Sequence, residues 1–457
     1  MDAVEIELVA REVDALLLDL EAERARHVAG LEAEPALARL FAARSRAAHR
    51  ETVAALRDAG REDLAARAAA LRAERAQAAD EEAWRAAESV ASGAGPDGLA
   101  PLAVLERAAL HEPDRGRRLA FARAAEAALG PAASLREAAV EQRARAGAEV
   151  GVAPDWRIVV EGDAVLAASD DPYRDVLAFR ARHDLALSPA PQGDLHRADL
   201  LHLARLARWD GLFRAGMLPL ALKLTLEPLG LDAGRLRIDD AERPAKWPGV
   251  HVLGARIIFG ARGGAGDWQD LLEGAGRALA GASTPPHRRD PVFGAALGEL
   301  LGSLVLEPRW LAERADVDRR HAPDLIRDLA LRRLLSLRAR AAALRVATEV
   351  TRGLSGAAWR EGYRDALTAA TGAIWEGVRA ARDADAAGHA SALVGAGAGE
   401  RLRDEVRERF DEDWWRNPRT ASFLAGLLAA GRLPDAAGDA SPARAAAALA
   451  ARLEGKA

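Results

Sequence analysis

The segment Asp267-Trp268-Gln269-Asp270-Leu271-Leu272-Glu273-Gly274-Ala275-Gly276-Arg277-Ala278-Leu279 sets an acid and a cation where a helix could use them together. Side chains four residues apart share a helix face, so Glu273 and Arg277 stand side by side, opposite the apolar Trp268, Leu271, Leu272, Ala275 and Leu279. That spacing can bring two ligands to one metal ion with a general base between them. Here it brings a carboxylate and a guanidinium, with Gly274 between. Glycine has no group to accept a proton, and arginine does not give one up to bind metal. What remains is an ion pair, worth about 0.3–0.5 kcal/mol on a solvated helix face. Two readings stand: a solvated face, or the wall of a cleft.

The flanking residues favour neither by themselves, but they carry a pattern. Residues Leu236 to Phe259 read as strand, turn, strand, with the turn at Lys246-Trp247-Pro248-Gly249. This order resembles the helical zinc peptidases of the thimet oligopeptidase and oligopeptidase F kind. In those enzymes a Lys-x-x-Gly turn and an edge strand precede a helix bearing His-Glu-x-Gly-His-Ala, and here the six positions read Glu273-Gly274-Ala275-Gly276-Arg277-Ala278. The second Gly and the Ala persist, and the zinc chemistry does not. The resemblance spans residues 155–430 diffusely and 235–310 by motif.

A third metal ligand would lie downstream, in Asp290-Pro291-Val292-Phe293-Gly294-Ala295-Ala296-Leu297-Gly298-Glu299. In the register of angiotensin-converting enzyme the position is Ala295, and in that of thimet oligopeptidase it is Glu299, which lies 22 residues beyond Arg277. We favour Glu299. The resemblance thus implies zinc, whereas the residues present imply no cofactor and a Glu273–Arg277–Glu299 ion cluster in its place. It also implies that the edge strand, including His251, Val252, Leu253 and Gly254, offers backbone to an extended peptide.

Other candidates are weaker. None of the ten histidines forms a His-x-x-x-His pair. A relocated metal site would need His251 with Glu273 and Glu299. Tyr363 stands where a relative's oxyanion-stabilising tyrosine could be sought, although Trp359-Arg360-Glu361-Gly362-Tyr363 lacks that motif's surroundings. The Gly-rich Gly260–Asp267 stretch lacks the Gly-Lys-Ser/Thr ending of a phosphate loop, and Asp267 reads as a helix N-cap. Gly-x-Ser-x-Gly is absent, so no serine-hydrolase elbow is expected.

Composition narrows the class. With 64 basic and 69 acidic residues interspersed along the chain, nothing singles out nucleic acid as a partner. No cysteine is present, which excludes disulfides and thiolate ligands or nucleophiles. The most apolar stretch, 216–231, is broken by Pro219, Lys223, Glu227 and Pro228, too short for a membrane span. No signal sequence is read at the acidic N-terminus, so the default is a cytoplasmic protein.

Ala, Leu, Arg and Glu dominate, and they are strong helix formers. The expected fold is mostly α: a two-lobed, zincin-like body with a central cleft and one small sheet near residues 236–262. Residues 1–150 would form an N-terminal helical lobe and 151–457 the peptidase-like lobe. Within it, residues 156–160 read as a strand, and the Gly- and Ala-rich 385–399 and 434–442 as loops. The expected function is a catalytically inactive, peptidase-like protein binding a peptide or partner. The alternatives are a hydrolase using carboxylates such as Glu273, Glu299 and Asp240, and a purely structural helical protein.

Overall fold

The computed structural model describes residues 1–152, 156–187, 195–260, 264–434 and 440–455. The first part of the chain runs α1 (Ala3–Val28), α2 (Leu37–Ala43), α3 (Arg50–Asp58), α4 (Glu62–Val90), a hairpin of β1 (Ser92–Gly95) and β2 (Gly98–Pro101), α5 (Leu102–His111) and α6 (Arg115–Glu149). Then come α7 (Trp156–Ala167), α8 (Asp170–Leu185), α9 (Arg197–Arg205) and α10 (Leu218–Leu226). A small sheet follows, of β3 (Arg237–Asp239), β4 (Val250–Leu253) and β5 (Arg256–Phe259). The remainder is α11 (Ala265–Ser283), α12 (Pro291–Gly302), α13 (Pro308–Arg314), α14 (Ala322–Thr351), α15 (Gly356–Thr371), α16 (Ala386–Phe410), α17 (Pro418–Ala430) and α18 (Pro442–Leu453). The fold is mostly α. Among the described residues no single helix is long and apolar enough to cross a membrane.

Helical periodicity decides what is buried. On α1 the residues Val9, Val13, Leu16 and Leu20 recur at three- and four-residue spacing, and all are buried. They meet Leu37, Phe41, Val53, Leu56 and Leu64 in a core confined to the first 150 residues. A larger core joins α11, α12 and α14, where Trp268 meets Phe213 and Trp310 edge-on, with ring centres 5.3 and 6.1 Å apart.

His27, at the end of α1, is 2% exposed. Burial and the nearby Arg85 guanidinium depress its pKa to about 4. The native state therefore takes up its proton less readily than the unfolded chain does. Stability should be full above pH ~6.5, the unfolded value, and fall by a few kcal/mol as pH drops toward 4. Urea midpoints against pH check this, and His27→Leu should flatten the curve in that window.

In the sheet β5 is central, parallel to β3 and antiparallel to β4, which leaves β4 at an edge. Gly254 makes the tight turn between β4 and β5 at φ 61°, a conformation that favours glycine.

Four expectations are corrected. Residues 156–160 open α7, because Ile158 and Val159 pack on the main core beside α14 and α18, and that packing overrides β-branching. Residues 386–399 begin α16 instead of a loop. Its small residues permit close approach: a Cβ on Gly399 would stand 2.9 Å from the Ala296 carbonyl of α12. The 92–98 break is half of a hairpin, so the sheet near 236–262 is not alone. The N-cap of α11 is Gly264, and Asp267 lies in the first turn. Residues 261–263 of the Gly-rich stretch and 435–439 of the second expected loop lie outside the described residues.

Candidate functional site

A cavity of about 590 Å³ lies against the outward face of α11. Asp270, Glu273, Gly274 and Arg277 line it from α11, and Glu299 from α12. Val250 and Val252 form its β4 side. Glu273 and Arg277 thus line this cavity with both side chains partly exposed.

The Arg277 Nη2 donates to Glu273 Oε1 at 2.7 Å. Burial works to raise the Glu273 carboxyl, but Arg277, Arg340 and Arg333 outweigh it and hold the group below the usual carboxylate range. Such a carboxylate stays ionised and is poorly suited to act as a general acid. The Glu299 carboxylate is engaged by Arg333 of α14, so the expected three-membered cluster is replaced by two pairs. Ala295 packs instead against Gly395 of α16.

Helix α14 supplies what sequence reasoning missed. Arg332, Ser336 and Arg340 recur every four residues and line the cavity together with Arg333. Arg332 holds Asp270 bidentately, at 2.7 and 2.6 Å. Burial lowers the Arg333 guanidinium to about 10. The spacing was visible, but it is also the spacing of any solvated arginine face.

Two of the glycines of α11, Gly274 and Gly276, are set by neighbours. A Cβ on Gly276 would stand 2.7 Å from Gly298 Cα and 2.6 Å from the Leu297 carbonyl carbon, so α11 and α12 meet backbone to backbone. Gly274 backs onto β4, where a Cβ would lie 3.0 Å from Val250 Cγ1 and 3.3 Å from Val252 Cγ2. The space beside the helix at that position already holds valine.

Strand alternation sorts the expected peptide contacts. Val252 lines the cavity, and Gly254 an adjoining one of about 280 Å³. Leu253 packs with Ala25 of α1 and with Ala29 just beyond it, away from the cavity. His251 is on that same strand side, its Nε2 3.1 Å from the Pro248 carbonyl. Tyr363 is 1% exposed, and its hydroxyl donates to Asp383. These three are corrected as cavity-lining side chains.

The fold can now be set beside known proteins. A solved oligoendopeptidase F is 14% identical at a TM-score of 0.55, the match covering 99% of this chain and 83% of that one. An oligoendopeptidase F from Bacillus anthracis str. Ames is 13% identical at 0.52, covering 100% and 86%. Pz peptidase A, solved with an inhibitor, is 14% identical at 0.51, covering 99% and 84%. The chain has a helical peptidase fold. No protein-family model matches it, and no curated protein does.

The residues of this helical peptidase fold do not fit the zinc that its resemblance implies. The second-histidine position holds a cation, the base position holds Gly274 packed against Val250 and Val252, and Glu299 is already neutralised by Arg333. Relocation through His251 fails for the reason given above. Asp240 is exposed and lies outside the cavity, which removes it from a carboxylate pair with Glu273. Elsewhere Glu126, His196 and Glu376 offer ligand atoms within 4.8 Å of one another. There the His196 Nδ1 accepts the Ala198 N–H, which leaves its proton on Nε2, and Arg379 stands 3.7 Å from Glu126. A cation is already in place.

Proposed function

We propose that the protein is a catalytically silent helical peptidase whose cavity binds a peptide or a protein partner. The observation carrying this reading is the Arg277–Glu273 ion pair at the positions a metal would need, beside a base position without a side chain. Hydrolysis through zinc requires side chains that hold the ion and a base placed between them, and here Arg277 stands at one such position and Gly274 at the base position. Binding requires less. The edge strand β4 turns Val250 and Val252 to the cavity, and an extended segment can add to such an edge through backbone hydrogen bonds.

Elemental analysis of purified protein, paired with a fluorogenic peptide assay, tests the proposal. Substoichiometric zinc and no turnover above a heat-denatured control are the expected results. Stoichiometric zinc with peptide cleavage that is lost in Glu273→Ala would overturn it.

A further inference from the structure

The charges of the cavity do not cancel locally. Arg277 is paired with Glu273, Arg332 with Asp270 and Arg333 with Glu299. The fourth carboxylate, Asp383, accepts the Tyr363 hydroxyl. Arg340 is left with one hydrogen bond, its Nε donating to Ser336 Oγ at 3.3 Å, and no described carboxylate lies within ion-pair distance. Both of its terminal nitrogens therefore lack a protein acceptor. Two further donors of the same cavity are buried without a partner, Arg277 Nε and Arg333 Nη1.

A guanidinium whose terminal nitrogens are open to the solvent of a cleft, beside other guanidinium groups, favours an arriving anion. Burial and the neighbouring Arg277 both lower the Arg340 pKa, the direction expected where one more anion is wanted. The adjoining cavity of about 380 Å³ shares Asp270 and Arg332 with the first and adds Arg107, Arg197, Arg205 and Arg379 against Glu106 and Asp267. The first cavity carries four arginines and four carboxylates, and the two cavities together eight arginines and six carboxylates, in a chain whose formal net charge is −5. Field lines of one sign are concentrated in the groove while the molecule as a whole carries the other.

We propose that Arg340 is an anchor for an oxyanion on the ligand, a carboxylate or a phosphate received by its two free terminal nitrogens, so that the cavity selects acidic ligands. A guanidinium fork matches either oxyanion with two parallel hydrogen bonds. The inference rests on the cavity being a binding site, and it adds the ligand's charge.

The test uses the full chain and three probes: a fluorescein-labelled Glu-rich hexapeptide, its Gln-rich counterpart and inorganic phosphate as competitor. The Glu peptide is expected to bind about tenfold or more tightly than the Gln peptide, with the preference shrinking as salt rises. Arg340→Gln should abolish the preference and Arg340→Lys should retain part of it. Arg352→Gln, at the exposed end of α14 where Arg352 pairs with Glu349 at 2.9 Å, should change nothing. Displacement by phosphate at millimolar concentration, lost in Arg340→Gln, assigns the anchor to a free anion; peptide preference without such displacement assigns it to an acidic side chain. Equal affinity for the two peptides overturns the anchor while leaving a peptide-binding cleft intact. Preference unaltered in Arg340→Gln overturns it as well, and so does binding of neither anion. Zinc-dependent cleavage of both peptides would instead sink the silent reading, with the Arg340 dependence still measurable. Melting curves of each variant separate misfolding from lost binding, and the salt dependence of the unmodified chain needs no variant.

Discussion

Asp199→Ala is expected to destabilise the chain by about 3–5 kcal/mol, the cost of leaving a buried charge without its partner. Asp199 and Arg118 are both fully buried, and they join α9 to α6 through bonds of 3.2 and 2.8 Å to the same carboxylate oxygen. The other oxygen takes Arg115 at 3.1 Å and the His196 N–H that caps α9. One carboxylate thus closes a helix end and satisfies two arginines. Its removal strands Arg118, whose only other acceptors among the described residues are the Glu112 and Pro113 carbonyls. Urea unfolding of Asp199→Ala beside the double variant Arg118→Met/Asp199→Leu decides the argument. The double variant should be the more stable of the two, because it removes both charges at once. A single variant within 1 kcal/mol of the parent, roughly the cost of a surface change, would show that the pair is dispensable. Since α9 contributes Leu201 and Ala204 to the cavity wall, loosening it should also weaken ligand binding.

Gly276→Leu is expected to prevent α11 and α12 from docking, with loss of folded protein. Overpacking usually costs about 1–3 kcal/mol because side chains can move aside. Here the obstacle is the backbone of Leu297 and Gly298, which cannot rotate away. Even Gly276→Ala should destabilise, although alanine favours helix over glycine by about 1 kcal/mol. Gly426 supplies the contrast, since it sits exposed inside α17 with nothing within 4 Å of an added Cβ. Gly426→Ala should therefore gain what Gly276→Ala loses. Thermal denaturation of the two variants side by side gives the answer, and a stabilised Gly276→Ala would refute the backbone contact.

The positions that sequence reasoning located were those marked by pattern. Apolar spacing placed α1 and the buried side of α11, and the strand–turn–strand order between Leu236 and Phe259 placed the small sheet. The pair Glu273 and Arg277 was legible from spacing alone. What stayed hidden depended on a partner distant in sequence. Gly395, Gly397 and Gly399 read as a loop until α12 and the start of α18 are laid against them. Ile158 and Val159 read as strand until α14 and α18 cover them. Glu299 lines the same cavity as Glu273, but its counter-ion comes from Arg333, on a helix that no motif connects with it. The face of His251 follows from which side of β4 meets α1, which no spacing within the strand specifies.

Gly274 bears on any attempt to install a metal here. Writing histidines at 273 and 277 and a glutamate at 274 would restore the letters of a zinc motif without restoring its room. The new glutamate would start 3.0 Å from Val250 and 3.3 Å from Val252, and β4 would have to recede before its carboxylate could turn toward an ion. The valines act as a ratchet: the strand has settled into the space that a proton acceptor requires, so a route to hydrolysis must pass through the sheet before it reaches the helix.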